Sequence, residues 1–222
     1  MNSAKRLGRM TGLLLIAQLA GLIVPFVMLK ALYAPPDFLR SAAQGADVIH
    51  CSLLLLVANG AVTTGIAIYL HPVLRSSGRG LASWLIVLGA LMLALQAVDN
   101  SHVQGMVALS QQYAAAAGTA REALEQFAPV VAAARRNAHY TVLLTIGAWM
   151  LVFYAALWRA RLVPWGFAAF GVLAAALHLA GVSLPVLAGA HSVMVLAPVL
   201  AASHGALILW LLARGFAERS AT

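Results

Sequence analysis

The stretch that decides the fold lies at residues 81–103 and reads LASWLIVLGALMLALQAVDNSHV. No charged side chain occurs in it before Asp99. An apolar run of about 20 residues crosses a bilayer core of about 30 Å as an α-helix. Two ionisable side chains, Asp99 and His102, stand at its end. The stretch therefore predicts a membrane-spanning helix that carries polar groups at one end.

The rest of the chain repeats this pattern. Of its 222 residues, 63% are hydrophobic and only 9% are charged, whereas a soluble domain averages about 25% charged residues. Too little polar material is present to cover a surface that faces water. We therefore predict an all-α polytopic membrane protein, a single domain over 1–222, with six transmembrane helices at 11–32, 48–70, 81–103, 138–158, 164–184 and 192–213.

The basic residues predict how these helices are oriented. With six helices, four basic groups fall on one side of the membrane, and the positive-inside rule makes that side cytoplasmic. Both termini are then cytoplasmic. The cytoplasmic loops therefore account for the net charge of +8. Since no nucleic-acid-binding module is recognisable, we predict no nucleic-acid partner. The four groups are Lys5, Arg6 and Arg9; Arg75 and Arg79; Arg159 and Arg161; and Arg214 and Arg219.

The connection between the third and fourth spans, 104–137, is long. Thr119 followed by Glu122 has the spacing of a capping box, which predicts a short helix outside the membrane from Thr119 to about Phe127. This helix is either a lid over the outer face or an ordinary interfacial segment.

Acidic residues and histidines concentrate on the predicted outer side. An ionisable group inside a membrane span usually faces the bundle interior or a cavity, so this asymmetry indicates an outward-opening polar pocket. The alternative is that several of the carboxylates only pair with neighbouring basic residues. The residues on this side are Asp37, Asp47, Asp99, Glu122 and Glu125, with His50, His102, His139, His178 and His191.

Two carboxylate-x-x-histidine units suggest a metal site. Asp47 and His50 open the second span, and Asp99 and His102 close the third. Residues three apart share a helix face, and paired units of this kind bind metals in helical bundles. With His139 added, this set predicts a transition-metal site for zinc, iron or copper. The alternative is chance, with Asp47 a helix N-cap.

The fourth span opens with further candidates. Arg136 is suited to hold an anionic substrate group, Tyr140 lies one turn further along, and His139 is a metal ligand or a general base. Interfacial anchoring by Arg and Tyr is the alternative.

His178 and His204 lie within the fifth and sixth spans. Haem binding requires two facing histidines, and His178 with either His204 or His50 is the predicted pair. For His204, close helix packing is the alternative.

Several short segments of the chain resemble those of a bacterial family. They are Arg6-Leu7, Gly12-Leu13-Leu14, Tyr69-Leu70-His71-Pro72-Val73-Leu74-Arg75, Leu95-Gln96-Ala97-Val98-Asp99-Asn100, Ala138-His139-Tyr140 and Arg161-Leu162-Val163-Pro164. Over nearly its whole length, the chain resembles the six-helix integral membrane proteins catalogued as domain of unknown function number 4386. Asp99-Asn100 and His139-Tyr140 match the family pattern. The resemblance implies a multi-pass protein of the bacterial inner membrane, and it implies no activity.

Two functions from different classes remain open. The first is an enzyme, with or without a metal, whose outward-opening site acts on a lipophilic or anionic small molecule. Asp99 is then a metal ligand or a general acid, and His139 is a ligand or a base. The second is a non-catalytic carrier, which at this size requires a homodimer, or a binder of haem or another small molecule. A purely structural role is a third interpretation.

Overall fold

A computed structural model describes residues 3–29, 38–188 and 197–217. The regular structure of these residues is helical, as predicted. The helices are α1 (Ser3–Met28), α2 (Phe38–Ser41), α3 (Ala46–Leu74), α4 (Arg79–Ala115), α5 (Gly118–Ala160), α6 (Trp165–Ala188) and α7 (Ala197–Arg214).

Five of these helices are long and apolar enough to cross a membrane: α1, α3, α4, α5 and α6. The apolar part of α7, Pro198–Arg214, is shorter. Two predicted spans extend beyond the described residues. The first span, 11–32, ends outside them, and the sixth span, 192–213, begins outside them. The prediction of an all-helical protein with several apolar spans is confirmed.

The helices expose large apolar side chains of a kind that a soluble monomer covers. Leu54, Val27 and Leu209 are each more than half exposed. Soluble monomers seldom leave such side chains in contiguous patches, whereas the hydrocarbon core of a bilayer solvates them. This exposure and the helix lengths together indicate a lipid environment.

The segment between the third and fourth predicted spans differs from the prediction. Residues from Thr119 onward are helical, but they form the first turns of α5, which continues without a break to Ala160. The preceding helix α4 runs on to Ala115, so only 116–117 separate the two helices. The prediction of a separate short helix that ends near Phe127 is therefore wrong. Good helix formers continue past that position, and Pro129 lies inside α5 without ending it.

The chain divides into two compact units. Unit 1 comprises 1–18, 61–92 and 143–222, and unit 2 comprises 19–60 and 93–142. The helices α1, α3, α4 and α5 contribute residues to both. Nothing in this division tests the prediction of a single domain.

Aromatic side chains of α5 form the centre of unit 1. Trp149 stacks on Phe153 with ring centroids 5.0 Å apart, and Tyr154 packs edge-on against Phe153. The Trp149 indole donates a hydrogen bond to the carbonyl oxygen of Leu85, so its polar atom is satisfied inside an apolar core. Gly171 of α6 lies against the Tyr154 ring with no room for a Cβ.

The core of unit 2 is an aliphatic cluster with two aromatic rings. Ser110 of α4 fixes the short helix α2 next to it, because its hydroxyl donates to the Leu39 carbonyl and accepts from the Ala43 amide, both at 2.8 Å. The buried members are Leu29, Phe38, Leu39, Ala42, Ile49, Leu53, Val103, Met106, Val107, Tyr113 and Ala128.

The contact of Gly171 with Tyr154 gives a test of the packing in unit 1. We expect Gly171→Ala to lower the free energy of unfolding by about 1–3 kcal/mol, because the buried ring has to shift. Gly166 in the same helix has open space around its Cα, so Gly166→Ala is the matched control and should be neutral or slightly stabilising. Thermal unfolding in detergent measures both variants. Equal melting temperatures for the two would contradict this packing.

Candidate functional site

A buried carboxylate forms the centre of the candidate site in unit 2. Asp99 on α4 is only 2% exposed. Its Oδ2 atom lies 3.0 Å from Nδ1 of His139, and its Oδ1 atom lies 3.4 Å from Nε of Arg135. The first distance is a hydrogen bond. The second is an ion pair longer than a strong charge-assisted hydrogen bond.

Both partners of Asp99 come from one face of α5. Arg135 and His139 are four residues apart, so their side chains lie one above the other along the helix. An ionised carboxylate among apolar helices is costly unless it is paired. The Arg135 guanidinium, which is itself mostly buried, supplies the opposite charge.

The neighbouring residue, Asn100, links the same turn of α4 to α3. Its Nδ2 donates to the Leu53 carbonyl oxygen at 3.0 Å, and its Oδ1 accepts from Nε2 of Gln96 at 2.9 Å. Consecutive helical residues point about 100° apart, so Asp99 contacts α5 while Asn100 contacts α3. The bond to Leu53 therefore ties this face of α4 to α3, and the bond to Gln96 orients the Asn100 amide within α4.

The contact with Asp99 determines which nitrogen of His139 is available. When the imidazole is neutral, Nδ1 carries the proton and donates it to the carboxylate, which leaves the Nε2 lone pair free. Within the described part of the chain, Nε2 has no protein hydrogen bond. The side chain is 28% exposed, so a small molecule can reach it. A nitrogen held in this way accepts a proton or ligates a metal.

The arginine that pairs with Asp99 is Arg135, a residue to which the sequence gave no individual role. Arg136 is exposed and Tyr140 is half-buried, whereas the buried partner of the carboxylate is Arg135. The spacing of four residues between Arg135 and His139 is the signal that points to it. Arg136 stays a prediction as the residue that orients an anionic group.

The structure does not assemble the predicted metal ligands. Asp47 and His50 are exposed, and Asp99 pairs with His139 although His102 is closer in sequence. Among the described residues, no three histidine, cysteine or carboxylate side chains come together as metal donors. The zinc, iron or copper site stays a prediction, with His139 the member of the set that the structure places beside Asp99.

The two histidines predicted to bind haem lie apart in unit 1. His178 is 3.1 Å from the Leu143 carbonyl, and His204 is 3.4 Å from the Tyr154 hydroxyl. Along α5 these contacts are eleven residues apart, a rise of about 16 Å. The structure therefore does not bring them together as a pair of axial ligands. Haem binding stays a prediction. Two further residues of the predicted outer side, His191 and Asp37, lie outside the described residues.

A double-mutant cycle tests the ion pair. Asp99→Asn removes the charge that compensates a buried guanidinium, so we expect a loss of about 3–5 kcal/mol in the free energy of unfolding. Arg135→Gln should cost less in the Asp99→Asn background than in the wild type, because the two charges are coupled. Thermal unfolding in detergent gives the four values. Glu122→Gln, at an exposed position of α5, is the control; strictly additive effects of the Asp99 and Arg135 variants would show that they do not interact.

Nitrogen NMR of the imidazole tests the tautomer. At a pH where the ring is neutral, we expect protonated Nδ1 and unprotonated Nε2 for His139 in protein labelled with 15N-histidine. Loss of these signals in His139→Gln assigns them. A ring with its proton on Nε2 would contradict the contact with Asp99.

Two comparisons with known proteins give no relatives, since neither a curated protein nor a solved structure matches this chain. A family does match, over residues 10–215, and its description is "Domain of unknown function (DUF4386)". The match includes Asp99, Asn100, Arg135 and His139 and covers nearly the whole chain. The protein belongs to this family of unknown function, as the resemblance of its short motifs predicted.

Proposed function

We propose that this protein is a membrane-embedded enzyme that acts on a lipophilic substrate, with His139 as its general base and Asp99 as the residue that orients and stabilises it. One observation carries the proposal: the buried Asp99 carboxylate lies 3.0 Å from Nδ1 of a histidine whose other nitrogen is accessible. Arg135 supplies a cation 3.4 Å from Oδ1 of Asp99, so His139 is not needed to balance the charge of the carboxylate, and its hydrogen bond to Asp99 leaves Nε2 available.

The chemistry follows from this arrangement. The Nε2 atom of His139 takes a proton from the substrate, and the imidazolium that forms is stabilised by Asp99 through Nδ1–H. The ring then gives the proton from Nε2 to the leaving group, or to the substrate atom that gains a proton in the product. Arg135 places a positive charge beside the carboxylate. General acid–base catalysis by a positioned side chain contributes about 10²–10⁴ to the rate.

The surroundings favour a lipophilic substrate. Asp99 and His139 lie on helices that are long and apolar enough to cross a membrane, so a substrate dissolved in the bilayer reaches them by lateral diffusion. Exposed Arg136, one residue from Arg135, is suited to an anionic head group, and Tyr140 offers a hydroxyl near the same turn. These two roles belong to the proposal.

The proposal includes an orientation. The basic residues of the N-terminus, of the α3–α4 and α5–α6 connections and of the end of α7 are cytoplasmic by the positive-inside rule. With six spans, both termini are cytoplasmic, and the site opens to the opposite side of the bacterial inner membrane. In a metal-dependent form, Nε2 of His139 is the donor on which the metal would bind; no step above depends on it. A homodimer is not required by this site.

The activity is tested in reconstituted vesicles. Wild-type protein in liposomes made from a bacterial total lipid extract should consume one lipophilic species and form another, which untargeted mass spectrometry detects. We expect His139→Gln to lower the rate at least 10²-fold, because the proton acceptor is lost, and Asp99→Asn to lower it as well. Metal content, measured on the same samples by mass spectrometry, should fall with His139→Gln if the metal-dependent form is correct.

Matched variants separate chemistry from folding. His71→Gln and Glu122→Gln remove the same types of side chain at positions outside the site and should retain the wild-type rate. Circular dichroism and elution volume establish that every variant is folded. Turnover that survives in folded His139→Gln, or no turnover by the wild type with any lipid fraction, would leave the carrier or binding role as the better interpretation.

A further inference from the structure

A second feature of the molecule lies entirely within unit 1 and has no part in the proposed reaction. A cleft of about 470 Å³ opens beside the ends of α1 and α7 and the connection between α5 and α6. Its lining residues are Lys5, Val163, Pro164, Trp210, Arg214, Gly215, Phe216 and Ala217.

The backbone after α7 builds the floor of this cleft. Gly215 adopts a left-handed conformation with φ of 70°, which ends the helix and turns the chain back. Phe216 is then buried against Gly8 of α1, where a Cβ has no room beside its backbone. The Ala217 amide donates a hydrogen bond of 2.9 Å to the Leu162 carbonyl oxygen. The floor is thus tied to α1 and to the α5–α6 connection.

The lining combines positive charge with apolar surface. Lys5 and Arg214 are both exposed and cationic, and none of the eight lining residues is acidic. Trp210, Phe216, Val163 and Pro164 supply apolar walls, and Trp210 is further packed against Phe167 with ring centroids 5.2 Å apart. An occupant with an anionic group and a hydrocarbon portion complements both parts of the lining.

Aromatic residues of unit 1 indicate the level of this end of the helices in a membrane. Trp84 lies in the second turn of α4, Trp158 in the last turn of α5 and Trp165 at the first residue of α6. All three are exposed, Trp165 by 75%. Exposed tryptophans at helix ends concentrate at the level of the lipid head groups. Pro164 of the cleft directly precedes Trp165, so the cleft lies at the level of the lipid head groups.

We propose that this cleft binds one anionic phospholipid, with its phosphate at Lys5 and Arg214 and the start of an acyl chain along Trp210 and Phe216. Basic pockets between transmembrane helices recognise lipid phosphates by this combination of charge and apolar contact. The site is separate from the Asp99–His139 pair and does not depend on the proposed activity.

Native mass spectrometry of the full-length protein in detergent tests the proposal. Dioleoylphosphatidylglycerol and dioleoylphosphatidylcholine are titrated separately, since they share acyl chains and differ in net charge. We expect the anionic lipid to bind more tightly to the wild type. The double variant Lys5→Gln/Arg214→Gln should lose this preference, at about fivefold in Kd for each cation.

The control variant removes two charges elsewhere in unit 1. Arg75→Gln/Arg79→Gln changes two exposed arginines of the α3–α4 connection and should keep the preference. An equal Kd for the two lipids in the wild type would overturn the proposal. A preference for the anionic lipid that persists in the Lys5/Arg214 variant, or that falls equally in the control variant, would also overturn it. Either result would show that the lipid is attracted to the basic surface as a whole. Competition by soluble glycerol 3-phosphate at the concentration of the lipid would show an anion site without lipid specificity.

Discussion

Burial of one carboxylate among apolar helices is the constraint on which the arrangement of unit 2 depends. Asp99 is almost inaccessible, and an ionised carboxylate in such surroundings requires compensating charge and hydrogen bonds. Two residues of α5, one turn apart, provide them. The neighbouring Asn100 satisfies a different need by bonding the α3 backbone. One turn of α4 therefore fixes its contacts with both α3 and α5. In lipid, where apolar helices gain little by contacting each other, such polar bonds and close packing determine which faces meet.

The hydrogen bond that satisfies Asp99 also orients the His139 ring for proton transfer. Arg135 already balances the charge of the carboxylate, so the hydrogen bond to His139 adds orientation to the site. It selects the tautomer that leaves Nε2 unprotonated, and the partial exposure of the ring gives a substrate access to that nitrogen. Membership of a family of unknown function adds no activity to this argument. The case for an enzyme depends on the geometry of three side chains.

The two polar features of the molecule differ in their chemistry. The site in unit 2 combines a carboxylate, a histidine and an arginine, and the histidine is suited to moving a proton. The cleft in unit 1 presents cations and apolar walls without an acid among its lining residues, so it is suited to holding an anion with a hydrocarbon tail. A histidine opposite a carboxylate can change its protonation during a reaction cycle, whereas an arginine keeps its charge. The proposals for the two features accordingly differ: one is catalytic and the other is a binding site.

Length and hydropathy alone determined the helical class and the positions of the apolar helices, because each follows from a run of residues within one segment. They also made Asp99 and His139 candidates, together with Asp47, His50, His102 and His178, since ionisable residues in or beside apolar segments are rare. The sequence did not determine where the helices end outside the apolar runs: α4 and α5 continue to Ala115 and back to Gly118, where no hydropathy signal marks a boundary.

Only the tertiary structure decided which side chains pair with Asp99. Sequence spacing placed His102, three residues from Asp99, on the same helix face. In the structure the histidine that contacts Asp99 is His139, forty residues away. The fold also places Arg135 beside Asp99 and leaves Asp47 and His50 exposed. The physical reason is that spacing along a helix shows which residues share a face, but the rotation of that helix about its axis, set by packing against its neighbours, decides what the face meets.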